Sequence, residues 1–384
     1  MSKRRILTRT AAAVALVMTI PVAASHADNG SKGDSTSAPS TSASAASNTV
    51  SVTAPVAKAD GTKVVTARTA SLQARKSTLA KSNTPAKSMK QQQSQAYKTV
   101  EEYWTPERMA KAKPAPVLGS DSAKASAQRN VAKAEQALKK GDKLANDKLS
   151  RANGRIFYRA DDGADYACTG SAVSSPTKRI VVTAGHCVHG GKGRKWHTNW
   201  VFVPSYDNNN KPYGTFHAQY MHTLRDWVSN GDDNASEARK FKGYTSDVAF
   251  VTVTDNEQGK HLTDVVGGHK LVTGKTSKFN ATLFGYPSNL NNGESLQICN
   301  ANTFTLRGGD KLSVNGVKGC NFGPGSSGGP WLENYNGVTG TGEVRSVTSF
   351  VVTEESAPTK YIDNGGPHFD KRVKGLFDLA NNDK

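Results

Sequence analysis

Between Asp28 and Ala96 the chain contains no phenylalanine, tyrosine or tryptophan. Such a tract, dominated by Ser, Thr, Ala and Lys, buries too little apolar surface to offset the entropy of ordering it, so disorder is expected there. Cysteine is scarce as well: Cys168, Cys187, Cys299 and Cys320 are the only four, and no two are spaced as C-x-x-C. That spacing argues against a structural zinc site, and no metal is expected. An even number of cysteines suits disulfides in an exported chain, with three connectivities open. Long hydrophobic runs are missing too. The apolar stretch Ala11 to Ile20 falls well short of the ~20 residues that span a bilayer. It sits between Lys3-Arg4-Arg5 and Ser25-His26-Ala27, a charged start and a small-residue exit. Residues 1–27 are therefore expected to be a secretory signal peptide, and the protein to be secreted without a membrane span.

Acidic residues are under-represented, leaving a formal charge of +18. Its location excludes the obvious explanation. Residues 1–27 hold four Lys/Arg and no acid, and residues 28–150 hold twenty against ten. Residues 151–384 hold twenty-six against twenty-two, so fourteen of the eighteen excess charges precede the C-terminal body. A nucleic-acid-binding fold concentrates charge on its folded surface, and no nucleic-acid partner is expected here.

Aromatic residues return at Tyr97, followed by Tyr103-Trp104-Thr105-Pro106-Glu107-Arg108-Met109. Thr105 as cap, Pro106 in the first turn and Glu107 at the positive end of the dipole predict a helix start. Tyr103, Trp104 and Met109 form a small apolar cluster able to dock on the body. About Ala123 to Leu149 the chain is rich in Ala and Lys, with helix propensity but few large apolar residues. Residues 28–150 thus read as a propeptide, disordered over 28–96 and partly helical over 97–150.

From about Gly154 short β-branched runs such as Arg179 to Ala184, Val248 to Val253 and Ser346 to Thr353 alternate with Gly/Asn/Asp/Pro turns. This pattern predicts an all-β body over 151–384, a sandwich or barrel. Val373, Leu376, Phe377 and Leu379 suit a terminal helix.

Three segments carry chemistry. In Gly323-Pro-Gly-Ser-Ser-Gly-Gly-Pro330, glycines enclose Ser327 and allow both a tight turn and the approach of another chain. The N–H groups of Gly325 and Ser327 could then converge as an oxyanion hole. In Val181-Val-Thr-Ala-Gly-His-Cys187, a strand ends in a small-residue turn that presents His186, a candidate base. Cys187 could tie that turn to Cys168, a link worth roughly 3 kcal/mol. Asp247 precedes the strand Val248 to Val253 and is a candidate to orient the imidazole.

Thr183-Ala-Gly-His-Cys187, Ser246-Asp-Val-Ala-Phe250 and Gly325-Ser-Ser-Gly-Gly-Pro330 resemble, in order, the signature segments of the chymotrypsin-like (trypsin-like) serine proteases. Cys168-Thr-Gly-Ser-Ala-Val173 is similar to that family's strand before the histidine loop. The likeness covers about 155 to 380 and is nearest to bacterial secreted members, whose propeptides contain a motif resembling Tyr103 to Met109. It implies two antiparallel six-stranded β-barrels with His186, Asp247 and Ser327 as a catalytic triad in the cleft between them. It also implies a secreted serine endopeptidase, without cofactor, acting on protein or peptide substrates through an acyl-enzyme. Ser349 and Phe350 resemble the strand that pairs with substrate backbone, with Ser346 as a rival alignment. Asn321, six residues before Ser327, falls where trypsin carries an acid. A buried Asn there gives no support to cleavage after Lys or Arg. Ser326 replaces the Asp that pairs with a new N-terminus in animal members, so latency is expected from the propeptide, as inhibitor of its own monomeric enzyme. Cleavage is expected near 145–155. The alternative is an inactive protease homologue acting as a secreted binding protein.

Overall fold

The computed structural model describes residues 50–57, 63–69, 98–116, 149–231, 239–307, 312–354 and 357–383. The expected signal peptide and nearly all of the expected helix at 123–149 lie outside these residues.

Before the body come strands β1 (Val50–Ala57), β2 (Lys63–Thr69) and β3 (Lys113–Pro114). The first half of the body follows as β4 (Asn153–Arg159), β5 (Asp165–Val173), β6 (Ile180–Thr183), β7 (Thr198–Pro204), β8 (Phe216–Leu224) and β9 (Ala249–Val253). They neighbour one another in the order β8-β7-β4-β5-β6-β9, and β9 pairs back with β8, so six antiparallel strands close a barrel. The run Ile180-Val-Val-Thr183 is apolar at successive positions because β6 is covered on both faces. Val181 points into the barrel core with Ile156 and Phe202, whereas Ile180 and Val182 enter a second core with Phe250 and Leu376.

The second half consists of β10 (Lys270–Leu271), β11 (Asn280–Gly285), β12 (Gln297–Arg307), β13 (Ser313–Lys318), β14 (Pro330–Asn336), β15 (Thr341–Val347), β16 (Phe350–Glu354) and β17 (Ala357–Gly366). Their order is β10-β15-β14-β11-β12-β13-β17-β16. Only Thr348 and Ser349 separate β15 from β16, so one bent strand joins both ends of the path and closes a ring of six, with β10 as an appendage. The architecture is the all-β, two-barrel one implied by the resemblance. A C-terminal helix, Lys371–Ala380, starts at Asp370, whose side chain accepts the N–H groups of Arg372 and Val373. Its buried Val373 and Leu376 pack in the core that also holds Val182 and Phe250.

The expectation of disorder over 28–96 needs correction at β1 and β2. β2 pairs with β8 from Val64↔Leu224 to Arg68↔Tyr220, and Val64, Val65 and Ala67 are buried. Its β-branched residues gain from the barrel a face to cover that composition alone could not foresee. The two disulfides are Cys168–Cys187 and Cys299–Cys320.

Candidate active site

β6 delivers the chain to Gly185, where a Cβ would stand 2.9 Å from the Trp227 ring and 3.0 Å from an Asp247 oxygen. Only glycine lets the turn approach so closely. The next residue, His186, lies in the 3-10 turn Gly185–Cys187 and is 4 % exposed. Its backbone N–H donates to Asp247 Oδ1 at 2.8 Å, and its ring Nδ1 lies 2.8 Å from Oδ2. A carboxylate can only accept, so Nδ1 carries a proton in this contact. Ser349 Oγ also donates to Asp247 Oδ2, at 2.5 Å. Three donors therefore converge on a carboxylate that is 0 % exposed.

The carbonyls of the histidine turn are held as closely. His197 Nε2 lies 3.0 Å from His186 O, Trp200 Nε1 donates to Cys187 O at 3.0 Å, and Trp227 Nε1 donates to His189 O at 2.8 Å. Burial pushes His197 down to about 3 and His189 down to about 4, so both are neutral near pH 7. Neutral His197 can donate to that carbonyl through Nε2–H.

Ser327 stands between Gly325 (φ +92°) and Gly328 (φ +82°), left-handed positions that favour glycine. A Cβ on Gly328 would lie 2.0 Å from Thr183 Oγ1 and 2.9 Å from Ala184 N, so the serine loop rests directly against the histidine turn. Thr169 N–H donates to Ser327 O at 2.7 Å, while Thr169 Oγ1 donates to Gly325 O at 2.9 Å. Ser326 Oγ donates to Gly323 O at 2.7 Å. Ser327 Oγ is buried and has no hydrogen-bond partner among the described residues.

The structure thus joins His186, Asp247 and Ser349 by hydrogen bonds and packs the loop of Gly325 and Ser327 against the histidine turn. Ser349 uses its hydroxyl on Asp247 and its N–H on Gly365 O, at 2.9 Å. Phe350 is buried and stacks on Tyr244 at 4.4 Å. Ser346 instead donates to Pro367 O. The expected buried position of Asn321 is corrected. Asn321 is exposed at φ +52°, and its carbonyl accepts from Asn289 Nδ2. The left-handed turn beside Cys320 sends the Asn321 side chain outward, while the neighbouring Phe322 is the buried one. The sulfurs of Cys168 and Cys187 lie near the His186 ring, but they are bonded to each other and are not thiolate ligands. Sequence reasoning missed Thr169, Trp200 and Trp227. Thr169 follows directly after Cys168 in a quoted segment, whereas neither tryptophan has a local signal.

Two closed β-barrels with a histidine, a buried aspartate and a glycine-flanked serine at their junction define the chymotrypsin-like class. A family model described as Trypsin matches residues 144–365, and the chain belongs to this family of serine proteases. The protein is similar to the protease Anisep from Arthrobacter nicotinovorans, with 28 % identity and a TM-score of 0.52, covering 62 % of this chain and 98 % of that one. A thermostable serine protease, AL20, from an extremophilic microorganism is 25 % identical with a TM-score of 0.50, covering 61 % and 99 %. Among curated proteins, an extracellular metalloprotease of Bacillus subtilis (strain 168) is 33 % identical over 69 residues, 18 % of this chain and 21 % of that protein. The chain thus spans about a fifth of that relative's length. Among the described residues no helix is long and apolar enough to cross a membrane.

Proposed function

We propose that the protein is a secreted serine endopeptidase in which Ser327, His186 and Asp247 form the catalytic triad. His186 Nε2 takes the Ser327 proton as Oγ attacks the scissile carbonyl, and later returns it to the leaving amine. Asp247 fixes the imidazole tautomer and stabilises the cation that forms. The N–H groups of Gly325 and Ser327 receive the oxyanion. Phe350, beside the Asp247-bound Ser349, forms part of the substrate wall. Substrates are proteins or peptides, the enzyme acts as a monomer, and residues 28–150 serve as a propeptide that holds it latent.

The contact between His186 Nδ1 and the buried Asp247 is the observation that favours this reading over an inactive homologue. A carboxylate with three donors on it, one of them that imidazole, is arranged for a base and not for packing alone. The test is digestion of a peptide library by the processed protein and by Ser327→Ala. The wild type should release peptides and react with a fluorophosphonate at Ser327, and the variant should do neither. A wild type that leaves the library intact ends the proposal.

A further inference from the structure

The geometry points to residues Lys113–Pro116 of the leader as a plug of the oxyanion site, and to residues 98–112 as its anchor on the first barrel. This rests on the reading of Ser327 as nucleophile.

A nucleophile that attacks other chains must be reachable, yet Ser327 is 0 % exposed. What covers the cleft is the chain itself. β3 runs parallel to β5, with Lys113 opposite Tyr166 and Pro114 opposite Ala167. Beyond it, Ala115 N–H donates to Ala167 O at 2.7 Å, and Ala115 O accepts from Gly325 N–H at 3.0 Å. The latter donor is one of the two proposed to hold the oxyanion, so a leader carbonyl occupies the place where charge would develop. The Pro114 ring stands over the same glycine, 3.4 Å from where a Cβ on Gly325 would be. Ala115 is 0 % exposed and packs in the core that contains Cys168 and Cys187. Pro116 then lines a small cavity of about 60 Å³ together with His186 and His197.

The plug resists its own enzyme for a chemical reason. The carbonyl on Gly325 belongs to the Ala115–Pro116 bond, whose nitrogen sits in a ring and carries no hydrogen. Expelling that nitrogen requires protonation of a crowded tertiary amide. The Ala115 carbonyl therefore fills the Gly325 donor without offering a good leaving group.

The anchor explains how so short a plug stays in place. Trp104 is 1 % exposed, donates through Nε1 to Asn199 O at 2.6 Å and packs 5.5 Å from Phe157. Tyr103 and Arg108 both donate to Asp165, at 2.5 and 2.7 Å. Because the leader is covalently attached, its local concentration is high, and cleavage beyond residue 116 turns the plug into a ligand that dilution can remove.

The test follows the rate at which a fluorophosphonate modifies Ser327, read by intact mass. It compares the full-length wild type, Trp104→Ala and Ala115→Gln, each before and after the leader has been cut between residues 117 and 150 and separated. The wild-type precursor should label at least about a hundredfold more slowly than its cut form. Either variant precursor should label at least about tenfold faster than the wild-type precursor. After cutting, all three should label equally, because the substituted residue leaves with the leader; equal rates also show that each body folded. A wild-type precursor that labels as fast as its cut form overturns the plug and leaves the nucleophile standing. A cut form that does not label overturns the nucleophile, and the plug falls with it.

Discussion

At the scale of single residues, the proposed chemistry turns on Asp247, and Ser349 donates a hydrogen bond to Asp247. The Ser349 hydroxyl shares Oδ2 with the imidazole and is itself fully buried. Losing a hydrogen bond to a buried charged group costs about 1.5–3 kcal/mol. Ser349→Ala should therefore lower kcat by roughly tenfold to a hundredfold with KM little changed, because substrate contacts persist while the orientation of His186 weakens. Steady-state kinetics on the processed protein measure the split. A rise in KM at constant kcat would instead assign Ser349 to substrate binding, as its resemblance to the substrate-pairing strand suggests. Ser327 and His186 were legible because each needs an unusual local sequence: glycines around a serine, and a small-residue turn before a histidine. Asp247 has no such demand beyond preceding a strand, and only the order of all three segments singled it out. Asn321 shows the opposite case. Counting back from Ser327 placed it in a pocket, but one left-handed turn beside a disulfide redirects the side chain.

At the scale of elements, the histidine turn is fastened from both ends. The Cys168–Cys187 disulfide ties it to β5, and His197, Trp200 and Trp227 hold its carbonyls from β7 and neighbouring segments. Removing the disulfide as Cys168→Ala/Cys187→Ala frees a loop of sequence separation 19. The loss should be about 3 kcal/mol in urea unfolding under the loop-entropy account. Activity should fall further than stability alone explains at a temperature where the variant remains folded, since the same turn carries His186. A variant that keeps full activity and loses only stability would show that the ring donors suffice to position the turn. Strand-bearing stretches in the body were readable from β-branched runs. The leader's strands were not. β2 lies between β1 and β8, β3 lies on β5, and no residue within 63–69 or 113–114 encodes those barrel edges.

At the scale of the whole molecule, the body is rich in histidines that have been taken out of water. Burial pushes His189 down to about 4, and His197 and His269 down to about 3. An unfolded histidine titrates near 6.5. Between pH 6.5 and about 4.5 the unfolded chain therefore binds protons at these three positions while the native protein does not. Stability is fully present above pH 6.5 and is lost as pH falls, because protons favour the state that binds them. Each histidine contributes a slope of up to about 1.4 kcal/mol per pH unit, so the three together give up to about 4. Urea unfolding midpoints measured at pH 7, 5.5 and 4.5 should fall steadily. His269→Gln should remove about a third of the slope: His269 is fully buried, its Nε2 contacts Asn153, and it stands apart from the proposed triad. Midpoints that stay level from pH 7 to 4.5 would mean that these side chains reach water in the folded protein.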